Sequence, residues 1–119
     1  MLTKDDVLYK KAFAFAVRII KFSRSLSEER KEFVMSKQLL KSGTSIGANI
    51  VEANGAISKP DFSAKISIAY KESLETKYWL DLLKETDFLN EKLHSSLYED
   101  ADELSKILYS ILKTTRIQK

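Results

Sequence analysis

The chain has 119 residues, of which 44% are hydrophobic and 31% charged, with one proline, three glycines and no cysteine. This length is enough for a single domain with its own core. No apolar run reaches the roughly 18 residues of a membrane span, and the N-terminus lacks the pattern of a signal peptide. The lack of cysteine excludes disulfides and thiolate metal sites, and we expect a cytoplasmic protein that does not engage membranes.

The first predicted helix covers about residues 5–24, where apolar residues recur at steps of three and four. A serine-rich segment at residues 25–27 is the first predicted break. Ser27 precedes two glutamates, a pattern typical of an N-cap with an acidic first turn. The second helix is therefore predicted to run from about residue 28 to residue 55.

The second predicted helix has small residues at the middle of its apolar side. Phe33, Leu40 and Val51 belong to that side, and Gly43 and Gly47 lie between them. Each glycine inside a helix costs roughly 1 kcal/mol relative to alanine. We therefore expect a close approach at these glycines, most simply by the backbone of a neighbouring helix.

Two more helices are predicted, at about residues 59–88 and 91–116, capped by Ser58 and Asn90. In the last of these helices the apolar residues recur regularly at steps of three and four, which is the spacing of helices that pack in a bundle. Helices of this length joined by short breaks must reverse direction each time. The sequence therefore predicts an all-α protein, an up-down-up-down antiparallel four-helix bundle forming one domain over residues 1–119.

A polar stripe shares one face of the second predicted helix. Serine and asparagine are weak helix formers, so their presence deep in this helix indicates a polar contact. Three interpretations of this stripe are open: a face exposed to solvent, a subunit interface and a ligand-binding surface. Its members are Lys31, Gln38, Ser45, Asn49 and Glu52.

Two carboxylates on the third helix also break the apolar pattern. Glu72 falls at the centre of the predicted apolar arc, beside Ala69 and Thr76, and Glu75 lies nearer its edge. A buried carboxylate must be paired, hydrogen-bonded or protonated. A structural network between helices or subunits is favoured over a metal ligand or a general acid, because no nucleophile or ligand set accompanies the pair.

Basic residues are concentrated in the first half of the chain. Residues 1–60 carry a formal charge of +5 and residues 61–119 carry −2. Such a surface either faces solvent or binds the phosphates of RNA through counterion release. Without an exposed aromatic ladder, sequence-specific reading of bases is not expected. The candidate nucleic-acid-binding residues are Lys10, Lys11, Arg18, Lys21, Arg24, Arg30, Lys31, Lys37 and Lys41.

One pair of residues has the spacing of a known metal-binding motif. Glu91 and His94 match the Glu-x-x-His pair of di-iron bundles, but His94 is the only histidine and such a site needs the pair twice. Nucleotide-binding, hydrolase and zinc patterns are also absent. We therefore expect no catalytic residue, no cofactor and no metal.

Two segments resemble a known family. Residues 38–53 read QLLKSGTSIGANIVEA and residues 68–83 read IAYKESLETKYWLDLL. Both resemble the motifs of the bacterial four-helix-bundle family named after 23S rRNA intervening sequences. Lys41 stands where that family often has arginine, which keeps the charge but loses bidentate geometry.

The resemblance implies a homopentameric bundle without assigned catalytic residues. A related accessory protein of diversity-generating retroelements forms a similar basic barrel. In this family Ser45, Asn49, Glu52, Glu72 and Glu75 are polar motif positions of unknown role, and a ring assembly would place them between subunits. The expected function is a non-enzymatic self-assembling protein that binds structured RNA. The alternative is an adaptor that docks a partner enzyme such as a reverse transcriptase.

Overall fold

A computed structural model describes residues 6–117 of the chain. Four helices follow one another: α1 (Val7–Glu28), α2 (Val34–Asn54), α3 (Lys59–Glu85) and α4 (Glu91–Leu112). A short π-helical turn, Lys113–Ile117, follows α4, so this helix ends four residues before its predicted limit. The described residues contain no strand, and the predicted helix start at residue 5 lies outside them.

The helices occupy the corners of a square in chain order. Each helix packs against the next, and α1 also packs against α4, while in the described range no Cα atoms of the diagonal pairs lie within 8 Å of each other. The bundle measures 46 × 23 × 21 Å, as expected for four rods lying side by side. The predicted all-α four-helix bundle is confirmed.

The predicted break at residues 25–27 is wrong, because α1 continues through it to Glu28. Leu26 extends the apolar stripe of α1 and is only 1% exposed. Its burial outweighs the weak helix propensity of the serines. The chain turns after Glu29 instead, with Lys31 at a φ of 57°. Lys31 therefore lies in the turn and does not share the face of α2 predicted for it.

Side-chain caps fix the starts of the helices. The carboxylate of Glu32 accepts hydrogen bonds from the backbone N–H groups of Val34 and Met35, which replaces the cap predicted at Ser27. The other two predicted caps are confirmed: Ser58 accepts from the Asp61 N–H, and Asn90 accepts from the Leu93 N–H. Capping groups of this kind accept hydrogen bonds from backbone N–H groups of the first turn, which have no partner within the helix.

The close approach predicted at the glycines of α2 is confirmed at Gly43. A Cβ atom placed on Gly43 would lie 2.8 Å from Cγ2 of Ile19, a buried residue of α1. The neighbour at this point is thus a side chain rather than a helix backbone. At Gly47 a Cβ atom would lie 3.7 Å from Cβ of Ala12, which is ordinary contact.

Buried hydroxyl pairs link α3 to both of its neighbours. The Thr76 hydroxyl lies 2.9 Å from the Ser42 hydroxyl of α2, and the Ser73 and Ser105 hydroxyls lie 2.7 Å apart between α3 and α4. These four residues are at most 4% exposed. Hydrogen-bonded hydroxyls can occupy a core at little cost, whereas unpaired ones cannot.

Replacing Thr76 by valine tests this polar contact. The substitution leaves the Ser42 hydroxyl with only the Leu39 carbonyl, at 3.4 Å. We expect the free energy of unfolding to fall by about 1–2 kcal/mol in urea titrations. Adding Ser42→Ala removes the orphaned group, so part of the loss should be recovered. A Thr76→Val protein as stable as the parent would contradict the importance of the pair.

Candidate functional site

The six motif residues that sequence reasoning singled out lie on α2 and α3, which pack against each other. Helical spacing places the motif residues of α2 on the side of that helix that carries Ser42, and Ser42 contacts α3. In addition, Glu52 of α2 forms an ion pair of 2.7 Å with Lys65 of α3. The hydrogen bond that Lys65 donates to Glu52 raises the pKa of the Lys65 amine. We call these six residues the polar motif face: Gln38, Ser45, Asn49, Glu52, Glu72 and Glu75.

The amide and hydroxyl groups of the polar motif face make few contacts within the chain. The Asn49 Nδ2 donates to the Ser45 carbonyl at 2.8 Å, inside the same helix. Within residues 6–117, Asn49 Oδ1, the Ser45 hydroxyl and the Gln38 amide have no hydrogen-bond partner. Ser45 and Asn49 are half-buried, and Gln38 is exposed. These groups are therefore free to bind a partner molecule.

Glu72 is half-buried at the edge of the core, so its predicted place at the centre of the apolar arc is wrong. Ser73, which is fully buried, occupies that centre, in line with the other buried residues of α3, namely Ile66, Ala69, Thr76, Leu80 and Leu83. Partial burial and the nearby charge of Glu75 raise the pKa of Glu72, and Lys41 opposes this effect. Glu75 is exposed and accepts a hydrogen bond of 2.9 Å from the Trp79 indole N–H.

Three of the nine basic candidates contact other parts of the chain. Lys11 forms an ion pair of 3.1 Å with Glu103, and Arg18 binds both Asp100 and the Ser96 hydroxyl of α4. Arg30 donates to the carbonyl of residue 87 at 3.2 Å and lies over the Phe88 ring. These cations connect α1 and its following turn to the α4 side of the bundle.

The other six basic candidates are exposed and form no ion pair within the described residues. Lys10 and Lys21 are eleven residues apart, so they project from one face of α1. Arg24 and Lys37 border a common groove between α1 and α2. The six residues are Lys10, Lys21, Arg24, Lys31, Lys37 and Lys41.

Sequence reasoning missed an exposed apolar surface between α1 and α2. Phe33, Leu40 and Val51 were predicted to line the core, but they are 55%, 38% and 52% exposed. Phe13 and Ile20 of α1 are exposed beside them. We call these five residues the apolar strip. The sequence did contain a signal for this surface, because the apolar stripes of α1 and α2 are wider than a single core-facing side requires.

The single histidine links two helices. His94 Nε2 lies 2.8 Å from a carboxylate oxygen of Asp81, which connects α4 to α3. In the described part of the chain, no three histidine, cysteine or acidic side chains are grouped as a metal ion would require. None of the helices described has the length and apolarity needed to cross a bilayer.

These features define an all-α bundle with an apolar and a polar outer face on adjacent sides. The chain belongs to the 23S rRNA-intervening sequence protein family, whose sequence profile matches residues 4–110. A solved structure of a protein of unknown function from the S23 ribosomal protein family of Bacteroides thetaiotaomicron VPI-5482 is similar. It is 50% identical, covers 90% of this chain and 99% of its own, and has a TM-score of 0.89. No curated protein matches the chain.

Proposed function

We propose that this is a non-enzymatic, cytoplasmic protein that assembles with copies of itself and presents a basic surface to structured RNA. The observation that carries the RNA-binding part is the set of unpaired, exposed cations on α1 and α2. Lys10 and Lys21 share one face of α1 without any acidic partner in the described structure. Surfaces of this kind bind phosphates through counterion release. The descriptions of the family and of the similar structure name no reaction.

The self-assembly part is supported by the polar motif face. Its half-buried Ser45 and Asn49 offer hydrogen-bonding groups that nothing else in residues 6–117 uses. Polar groups left without a partner at a half-buried site are costly unless water or another molecule satisfies them. A second copy of the chain would supply that partner.

Charge reversal on α1 tests the RNA-binding surface. We expect a structured RNA stem-loop to bind less tightly as salt rises, with a negative slope of log K against log salt. The double substitution Lys10→Glu, Lys21→Glu should weaken binding at every salt concentration and reduce the magnitude of that slope by about 2. Fluorescence anisotropy measures both quantities.

The matched control reverses the same amount of charge elsewhere. Lys59→Glu with Lys92→Glu changes two exposed cations outside α1 and α2 and should leave most of the affinity in place. Absence of binding at low salt, or equal losses in both double variants, would reject this RNA surface. A partner enzyme, such as a reverse transcriptase, that stays bound to the protein after nuclease digestion would favour the adaptor function instead.

A further inference from the structure

A groove between α3 and α4 combines aromatic and basic side chains. It has a volume of about 240 Å³, and its lining includes Tyr70 and Leu74 of α3 and Tyr109 of α4. The centres of the two tyrosine rings lie 5.8 Å apart, and Tyr109 is 48% exposed, so its ring is accessible to a ligand. Leu74 is exposed beside them and extends the apolar wall. We call this site the tyrosine groove.

Two lysines line the tyrosine groove around one carboxylate. Lys77 Nζ lies 3.1 Å from one oxygen of Asp102, and Lys106 Nζ lies 3.0 Å from the other. The hydrogen bonds from Lys106 and Lys77 lower the pKa of Asp102, so this carboxylate keeps its charge at neutral pH. The groove therefore has an excess of one positive charge. Because an ammonium group has three N–H donors, each lysine is held in place and still has donors for a ligand.

Further cations lie on both sides of the tyrosine groove. Lys113 follows Tyr109 by four residues, and Lys71 precedes Leu74 by three, so each lysine neighbours a groove residue on the helix surface. Both lysines are exposed and form no ion pair within residues 6–117. The carboxylate of Asp102 is already neutralised by its two partners. A ligand that complements this surface is therefore negatively charged.

The accessible ring favours unpaired nucleotides over other anions. Single-stranded RNA is bound where aromatic side chains stack on its bases and cations contact its phosphates. In a duplex the bases stack on one another, so their faces are not available to a tyrosine. Acidic side chains of a peptide would pair with the lysines but would not stack on Tyr109.

We propose that the tyrosine groove binds single-stranded RNA, with a base stacked on Tyr109 and the adjoining phosphate bound by Lys106. Stacking tolerates any base, so we expect little sequence preference. The groove lies on the side of α3 that contacts α4, whereas Glu52 of the polar motif face contacts the side of α3 nearest α2. This second RNA site does not depend on the cations of α1 proposed above to bind stem-loops.

Binding of an unstructured RNA tests the stacking contact. The probe is a fluorescein-labelled oligouridine of about ten nucleotides, followed by fluorescence anisotropy at low salt. Tyr109→Leu keeps an apolar side chain but removes the aromatic face, so it should weaken binding about tenfold. Tyr109→Phe is the matched control, because it keeps the ring and should bind as tightly as the parent. Circular dichroism checks that both variants are folded.

The salt dependence of the same probe tests the phosphate contact independently of Tyr109. Lys106→Gln should reduce the magnitude of the slope of log K against log salt by about 0.7, the value for one phosphate of a single strand. Lys92→Gln is the matched control, because Lys92 is exposed at the other end of α4 and should leave the slope unchanged.

A blunt-ended RNA duplex separates this site from the surface on α1. Tyr109→Leu should leave the affinity for the duplex unchanged, whereas Lys10→Glu with Lys21→Glu should lower it. If oligouridine binds through Tyr109 and the duplex does not bind, the surface on α1 is refuted and the tyrosine groove stands. If the duplex binds and oligouridine does not, the tyrosine groove is refuted and the surface on α1 stands.

Three further results would overturn the inference. Equal affinity of the Tyr109→Leu and parent proteins for oligouridine would show that no base stacks on this ring. Equal losses in Tyr109→Leu and Tyr109→Phe would assign the effect to the hydroxyl group instead of the ring. Displacement of oligouridine by polyglutamate at the same concentration of negative charge would indicate a surface for acidic peptides.

Discussion

Gly43→Ala is expected to destabilise the protein, whereas Gly47→Ala is expected to stabilise it. Alanine is favoured over glycine inside a helix by roughly 1 kcal/mol at both positions. At Gly43 the added Cβ atom would lie 2.8 Å from Cγ2 and 3.2 Å from Cβ of the buried Ile19, so a change of rotamer alone would not relieve the contact. Overpacking of a core costs about 1–3 kcal/mol, so after the propensity gain the free energy of unfolding should fall by up to about 2 kcal/mol.

The Gly47 variant is the matched control for this prediction. Its Cβ atom would lie 3.7 Å from Cβ of Ala12, so the helix propensity gain of up to about 1 kcal/mol should be retained. In an Ile19→Ala background, Gly43→Ala should cost less, because both Cγ atoms are gone. Urea titrations at one fixed protein concentration measure these differences, since assembly also contributes to stability. Equal effects at both glycines would contradict the packing described for α1 and α2.

Leu26→Ala should lower the free energy of unfolding by about 2–5 kcal/mol, because it removes a fully buried side chain and leaves a cavity. Leu26 is 1% exposed near the end of α1. Ile57→Ala is the control, because Ile57 is 93% exposed between α2 and α3 and its truncation should change stability by less than about 0.5 kcal/mol. Similar small changes in both variants would mean that α1 ends before Leu26.

Most of the fold could be predicted from the sequence because each helix has a periodic apolar stripe and local caps. Ser58 and Asn90 stand next to the helices that they cap, so neighbouring residues alone identify them. The first break could not be predicted this way. The serines around Leu26 favour a break locally, and only packing against the other helices keeps Leu26 helical.

The candidate site was predicted in part. Gln38, Ser45, Asn49 and Glu52 share one side of α2, because their spacing follows the helical repeat, and a common role with Glu72 and Glu75 of α3 stays a prediction. The centre of α3 was misplaced by one residue because the partners of its hydroxyl groups are distant in sequence: Ser73 pairs with Ser105, and Thr76 pairs with Ser42. The apolar strip was missed because hydrophobicity does not show which of two apolar sides faces the core.

Self-assembly would repeat the basic residues of the proposed RNA-binding surface. Lys10 and Lys21 are exposed on one face of α1 and form no ion pair in the described structure. Repetition of these cations in an assembly would multiply weak phosphate contacts into stronger overall binding.

The native mass of the unmodified protein tests the central claim most directly. Native mass spectrometry at near-physiological salt should show an assembly of five chains of 13.6 kDa each, the pentamer that the family resemblance implies. A spectrum containing only the single chain at micromolar concentration would contradict the claim that the polar motif face binds another copy of the protein.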